Sequence, residues 1–347
     1  MYIKKILWAI ALIGLVAAAF FAYYIYSVML SPNTAFDQEE AYIFVTTDAD
    51  YQEVRSQLEP LLKDMNGFDA LAKRKKYVNN LKAGKFVIKK GMSNNDVINS
   101  IRSKNLPIKV SFNNQESLAK LAGRVSEQIE ADSLSLIKAM SDDEFLQESG
   151  FNEQTALGMY IPNSYEFFWN SSAETFRGRM LKEYNRFWND SRNAKAKAIN
   201  LTRDEVMALA SIVHEESKQP SEQPRIAGVY LNRIRIGMPL QADPTLKFAA
   251  YQLPQYKNTV IKRVLNIHKE IVSPYNTYLN AGLPPGLIAM PDISAIDAVL
   301  NAENHKYLYF AADPQKLGFH RFAKTLSQHN ANARAYQRYL SSQGIIR

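Results

Sequence analysis

A chain of 347 residues, 46% hydrophobic and 22% charged, has room for two domains and a sizeable core, so global disorder is excluded as its class. It contains no cysteine, which rules out disulfides, thiolate catalysis and cysteine metal sites. Its formal net charge of +8 points to an anionic partner or surface.

Lys4 and Lys5 precede an apolar run that carries no charge until Asp37. Such a run crosses a bilayer as a helix, and Tyr23, Tyr24 and Tyr26 fall where an interfacial aromatic belt sits. A signal peptide cleaved after Ala17-Ala18-Ala19 competes with this reading, but the apolar stretch continues past that point. Residues 1–30 therefore read as a cytoplasmic tip and single-pass anchor, with the remainder outside. Residues 31–40 read as a polar linker.

The stretch 41–114 reads as a small α+β module in the order β-α-α-β-α-β. AYIFVTT (41–47) and GKFVIKK (84–90) have strand character, two helices separate them, and Ser93 with Asp96 starts a third helix through a capping box. PIKVSFN (107–113) closes the unit as a strand. Basic residues cluster over 71–90 without an aromatic binding signature, so a solvated basic face is expected there and no nucleic-acid partner.

From 115 to 347 a second domain is mostly helical, with helices over 116–129, 132–140, 142–149 and 173–188. GMYIPNSYEFFW (158–169) is aromatic and reads as irregular because Pro162 blocks a helix. Thr202 and Glu205 form a second capping box ahead of a helix over about 203–217. An amphipathic helix follows from 223 and stops at Gly237. LQADPTL then reads as a polar turn, and 273–292, with four prolines and two glycines, as a stiff extended loop suited to binding groups. A helix near 293–302, a strand in KYLYFAA and a polar end complete the chain.

On the helix after Thr202, Val206, Leu209, Val213 and Glu216 share one stripe, and Glu215 projects to the other side. Glu216 is thus carried to the edge of the core. Apolar surroundings and the negative end of the helix both disfavour its charged form, which is how a carboxyl becomes a general acid near neutral pH. Two solvated glutamates at a fraying helix end fit the same spacing. His214-Glu215 begins like a zincin motif but lacks the second histidine, and the five histidines show no ligand spacing, so no metal is expected. There is no G-x-S-x-G elbow, Walker A loop or dinucleotide fingerprint.

Five segments occur in order at compatible distances: GMYIPNSYEFFW, LASIVHEES, AGVYLNRIRIGMPLQADPT, SPYNTYLNAGLPPGLI and YLYFAADPQKLGFHRFAKTLSQHN. Together they resemble the endolytic murein transglycosylases, the YceG-like or MltG family, over roughly 115–340. The anchor and a small module resembling LysM, most of all in GKFVIKKGMSNNDVINSI, match the layout of that family. The resemblance implies a mixed α+β catalytic domain with Glu216 as the catalytic acid. It implies glycan contacts from Asn232, Gln241, Asp243, Tyr275, Asn276 and, less directly, His320, for each of which loop-stabilising hydrogen bonding is the alternative. The chain departs from the family pattern at His214, where a glutamate is frequent, at Ser217 for threonine, and at Met290-Pro291-Asp292 for Asn-Pro-Gly.

The implied reaction is non-hydrolytic cleavage of the MurNAc–GlcNAc β-1,4 bond in peptidoglycan strands, without a cofactor, leaving 1,6-anhydro ends. The implied setting is the outer face of a bacterial cytoplasmic membrane, with the bilayer and peptidoglycan synthases as neighbours. A hydrolytic muramidase using Asp243 or Glu166 to activate water, and a non-catalytic wall-binding scaffold, remain alternatives.

Overall fold

The computed structural model describes residues 2–256, 259–261 and 263–344. Two compact units emerge: residues 1–110 with 128–131 and 165–172, and residues 111–127 with 132–164 and 173–347.

The first unit begins with helix α1 (Tyr2–Met29), long and apolar enough to cross a membrane and with none of its residues buried by protein. Strand β1 (Glu40–Val45) follows, then α2 (Tyr51–Leu58) and α3 (Met65–Arg74), strand β2 (Gly84–Lys89), α4 (Asn94–Ser103) and β3 (Pro107–Phe112). The β-α-α-β-α-β order expected from the sequence is present. β1 and β2 pair antiparallel, from Glu40 opposite Lys89 to Val45 opposite Gly84. Their inward side chains Ile43, Val45, Phe86 and Ile88 meet Val54, Leu58, Phe68, Val97 and Ile101 from the helices in one core. The Ser93–Asp96 capping box forms as read and starts α4, a device that contributes roughly 0.5–2 kcal/mol.

Two expectations need correcting. The 31–40 stretch is not a free tether. Asn33 and Thr34 are buried, and the Asn33 amide donates to Asp64 O (2.9 Å) and Asn94 Oδ1 (2.6 Å), while Asn94 Nδ2 donates to Val28 O (2.8 Å). Buried polar groups must be paired, as Asn33 is here, while Asp37, Gln38, Glu39 and Glu40 stay exposed. β3 does not join the β1–β2 pair either; its partner is β4 (Asn163–Phe168), out of the aromatic stretch read as irregular. Pro162 sits just before that strand, where its missing N–H costs nothing.

The second unit is built on helices α5 (Leu118–Ser126), α6 (Ser133–Met140), α7 (Asp143–Glu148), α8 (Ala173–Phe187), α9 (Asp190–Ala198), α10 (Arg203–Glu216), α11 (Gln223–Arg235), α12 (Asp243–Tyr251), α13 (Asn266–Lys269) and α14 (Ile293–Leu300). Strands β5 (Tyr309–Ala312) and β6 (His320–Ala323) pair antiparallel, and α15 (Leu326–Ser342) packs on both. The sequence reading left α9 unassigned, took α12 for a turn and took β6 with α15 for a polar tail. Pro244 explains α12, since proline is well tolerated in the first turn of a helix. Residues 273–292 form the extended loop expected, without helix or strand.

α10 lies at the centre of this unit, packed against α14, α11, α12 and α9. Every residue from Val206 to His214 is buried, so the helix is enclosed all round rather than amphipathic. Gly228 lets α11 approach the chain after α14: a Cβ there would lie 2.5 Å from Glu303 O and 2.7 Å from His305 Nε2.

Candidate active site

The α10 capping box closes as its sequence predicts, with Thr202 and Glu205 bonding each other's backbone N–H. At the other end, Glu216 is half-buried and Glu215 is exposed, ion-paired to Lys218 Nζ at 3.1 Å. The chain then turns sharply. Ser217 caps the helix with extended backbone, and Gln223 Nε2 donates to Ser217 O at 3.0 Å. This turn brings α11 back alongside α10, and Tyr230 on α11 donates its hydroxyl proton to Glu216 Oε1 at 2.7 Å.

The Glu216 carboxyl is pushed up from 4.5 to about 7. Burial is the main cause. The Tyr230 hydrogen bond opposes it, the negative charge of Asp243 adds to it, and the positive charges of His320 and Arg233 oppose it. Near neutrality such a group populates both protonation states, so it can give a proton and take one back. The Tyr230 hydroxyl is held well above its ordinary range, by burial first and by Glu216 next, and acts only as a donor.

Arg233, one turn along α11 from Tyr230, is buried and has no carboxylate in hydrogen-bond contact among the described residues. Its guanidinium donates to Leu308 O (2.7 Å), Leu240 O (2.6 Å) and Pro239 O (3.3 Å). It therefore ties the segments before α12 and β5 to α11 while its charge acts on Glu216. Asp243 opens α12 and accepts the Tyr278 hydroxyl proton at 2.7 Å. Tyr278 comes from the extended loop, and its hydroxyl is raised by burial and by this bond.

Of the residues singled out from the sequence, Asp243 acts on the Glu216 carboxyl through its charge, and His320 does so when doubly protonated. Gln241 has its side chain exposed and a left-handed backbone (φ +48°), which costs on the order of 1 kcal/mol for a non-glycine residue. The strain is held by Gln241 N donating to Thr277 O and Ala242 N to Thr277 Oγ1, both at 3.0 Å, and it aims Asp243 into place. Tyr275 packs on Phe248 with ring centroids 4.6 Å apart. Asn232 donates to His305 O (2.8 Å) and Tyr307 O (3.1 Å), and buried Asn276 donates to Lys269 O (2.9 Å) and Ile271 O (2.7 Å). These two asparagines organise loops.

His214, one of the departures from the family pattern, is buried. Its Nε2 accepts from Lys218 Nζ at 3.0 Å and its Nδ1 lies 3.4 Å from Asp292 Oδ2; burial first, then Lys218, lowers its pKa. Asp292 of the Met290-Pro291-Asp292 segment is thereby turned toward α10, and Met290 N donates to Gln115 O at 2.9 Å.

Sequence reasoning missed Tyr230, Arg233, Tyr278 and Glu222. Tyr230 lay in the apolar stripe of its helix and read as core, which it also is. Arg233 had the position of a solvated charge on an amphipathic helix. Among the described residues, no group of three or more His, Asp or Glu side chains is disposed to hold a metal.

The chain is 28% identical over 277 residues to an endolytic murein transglycosylase of Bacillus subtilis, covering 75% of this chain and 73% of that relative. It is 26% identical over 328 residues to one from Streptococcus pneumoniae serotype 2, covering 86% of this chain but 58% of the longer relative. A crystal structure of a yceG-like protein from Listeria monocytogenes superposes with a TM-score of 0.57 at 25% identity, over 85% of this chain and 99% of that one. A family model described as YceG-like matches residues 43–335, and the chain belongs to the YceG-like family.

Proposed function

We propose that this chain is an endolytic murein transglycosylase, a lyase of peptidoglycan glycan strands, and that Glu216 is its acid–base. The observation that carries the assignment is the Glu216 carboxyl itself, raised to about 7 at the C-terminal end of α10 and held by Tyr230. Protonated Glu216 gives its proton to the glycosidic oxygen as the bond to the muramyl C1 breaks. The resulting carboxylate takes the proton of the muramyl 6-hydroxyl as O6 bonds to C1. Atoms balance without water, the product ends in 1,6-anhydro-MurNAc, and Glu216 returns to its starting state. A glycosidase that activates water needs two carboxylates at a set separation. Asp243 is engaged by Tyr278, which suits it to holding the site's field rather than activating water.

α1 anchors the chain in the bilayer, and Lys4 and Lys5 support a cytoplasmic amino terminus with both units outside. In this reading the small module is a LysM-like glycan-binding element, supported by the strand-turn-helix segment that forms β2 and α4. Cleavage of nascent strands beside peptidoglycan synthases is the corresponding role in wall assembly, and the net charge of +8 suits a polymer bearing carboxylates.

The test is digestion of purified murein by the detergent-solubilised chain, with mass spectrometry of the products. Anhydro-muramyl ends are expected, and reducing ends would sink the transglycosylase reading in favour of hydrolysis. Glu216→Gln is expected to abolish cleavage while retaining fold and glycan binding; cleavage at the wild-type rate removes Glu216 from the mechanism. Glu215→Ala, altering an exposed side chain paired to Lys218, is expected to cleave as wild type.

A further inference from the structure

Glu222 stands just before α11, in the turn that follows Glu216, and its side chain does not cap that helix. It is buried, with 5% of its surface exposed. A buried carboxylate is costly unless several donors satisfy it. Here both oxygens face one residue: Oε1 accepts the backbone N–H of His320 and Oε2 lies 2.8 Å from His320 Nδ1, each contact at the same distance, while Ser217 Oγ donates to Oε2 from 3.5 Å. Since an ionised carboxylate only accepts, the proton of the imidazole is fixed on Nδ1.

His320 is placed as well as protonated. Its ring stands edge-on to Phe310 (centroids 5.1 Å, 77°), and Phe310 stands edge-on to Tyr230 (5.9 Å, 87°), the residue that bonds Glu216. When it carries a second proton, the imidazole also acts on the Glu216 carboxyl through its charge. In the neutral ring Nε2 is a bare acceptor, and it has no hydrogen-bond partner among the described residues.

We propose that Glu222 is a positioning residue that locks His320 as its Nδ1–H tautomer, so that Nε2 accepts a hydrogen bond from a hydroxyl or amide N–H of the glycan bound at Glu216. The pair rests on the transglycosylase reading for its substrate, but not on the fate of the anomeric carbon. It moves no proton of its own. Glu216 carries the acid–base chemistry, and His320 holds the sugar against it. A residue of the turn after Glu216 thereby registers substrate and acid to each other.

The experiment uses the full chain in detergent with purified murein. His320→Asn keeps a donor toward Glu222 and deletes the Nε2 acceptor. Glu222→Gln keeps the shape but replaces one accepting oxygen by an amide nitrogen, which donates and cannot receive an N–H. Each is expected to lower kcat/KM on the order of tenfold with thermal stability little changed, the scale of one lost hydrogen bond to substrate. The double variant is expected to be no worse than either single one, because both break the same contact. Nitrogen-15 spectra of labelled histidine add a readout that packing alone does not move. With five histidines in the chain, His320 is assigned by difference from His320→Asn, and the Nδ1–H tautomer is expected in the wild type and mixed tautomers in Glu222→Gln. Wild-type kcat/KM in His320→Asn, additive losses in the double variant, or an Nε2–H tautomer in the wild type each overturn the pairing. If the wild-type products carry reducing ends, the reaction assignment fails while the coupling between Glu222 and His320 is still measured.

Discussion

Replacing Glu216 by glutamine keeps the shape of the side chain and removes its titration, so the variant isolates the energetic consequence of the raised carboxyl. In the folded chain this group sits at about 7 against an ordinary value of 4.5. A gap of roughly 2.5 units corresponds to about 3.5 kcal/mol at most, at about 1.4 kcal/mol per unit. Because the residue is half-buried, solvent screening reduces this to roughly 1–3 kcal/mol. The folded value lies above the unfolded one, so the folded state holds the proton more tightly. Stability from this group is complete below the unfolded value and is lost as pH rises through the folded value. The stability of Glu216→Gln relative to wild type should therefore grow by roughly 1–3 kcal/mol between about pH 4.5 and pH 8. For a unit of this size that is a gain in relative Tm of several degrees, at about 2–4 °C per kcal/mol. Thermal unfolding followed by tryptophan fluorescence measures it, and Trp188, buried in the second unit, is the reporter for this region. A difference that stays flat over this range, or shrinks as pH rises, would show that Glu216 is not held protonated by its surroundings.

Tyr230→Phe deletes a hydrogen bond that favours the charged form of Glu216, so the carboxyl should rise further. The cleavage rate falls as the acid deprotonates, and this alkaline limb should move to higher pH by on the order of one unit; a limb that stays put or moves down contradicts the assignment. Arg233→Met leaves the carbonyls of Leu308, Leu240 and Pro239 without their donor, at about 1–3 kcal/mol for each buried group. A clear drop in the urea midpoint is expected, and an unchanged midpoint refutes the tie. Asn276→Ala removes the donor to Lys269 O and Ile271 O, so limited proteolysis should cut the 273–292 loop faster while the core of the second unit stays protected. Equal cutting of both proteins would mean that the loop is held by other contacts.

Local sequence determined much of what surrounds the site. Thr202 with Glu205 and Ser93 with Asp96 mark helix starts, because a helix end must satisfy its free N–H groups with whatever side chains lie within three residues. Gly237 ends α11 in a left-handed conformation, and alternation in 41–45 and 84–89 announces the β1–β2 pair. The family-bearing segments point to the C-terminal end of α10, where Glu216 is half-buried and Glu215 exposed. The reason given for ranking Glu216 over Glu215 is less secure, since α10 is enclosed on all sides and no single apolar stripe orients it. What tertiary structure decided is everything that requires a partner from far along the chain. β3 pairs with a strand about fifty residues later, and the 31–40 stretch is recruited into the first unit by buried asparagines. Around Glu216, the hydroxyl of Tyr230, the guanidinium of Arg233, the Asp243–Tyr278 pair and the Glu222–His320 pair come from α11, the loop, α12 and β6. Helix propensity and capping act over a few residues and are legible in them. The protonation of a carboxyl depends on what water is excluded and which charges face it, and those are properties of the assembled unit.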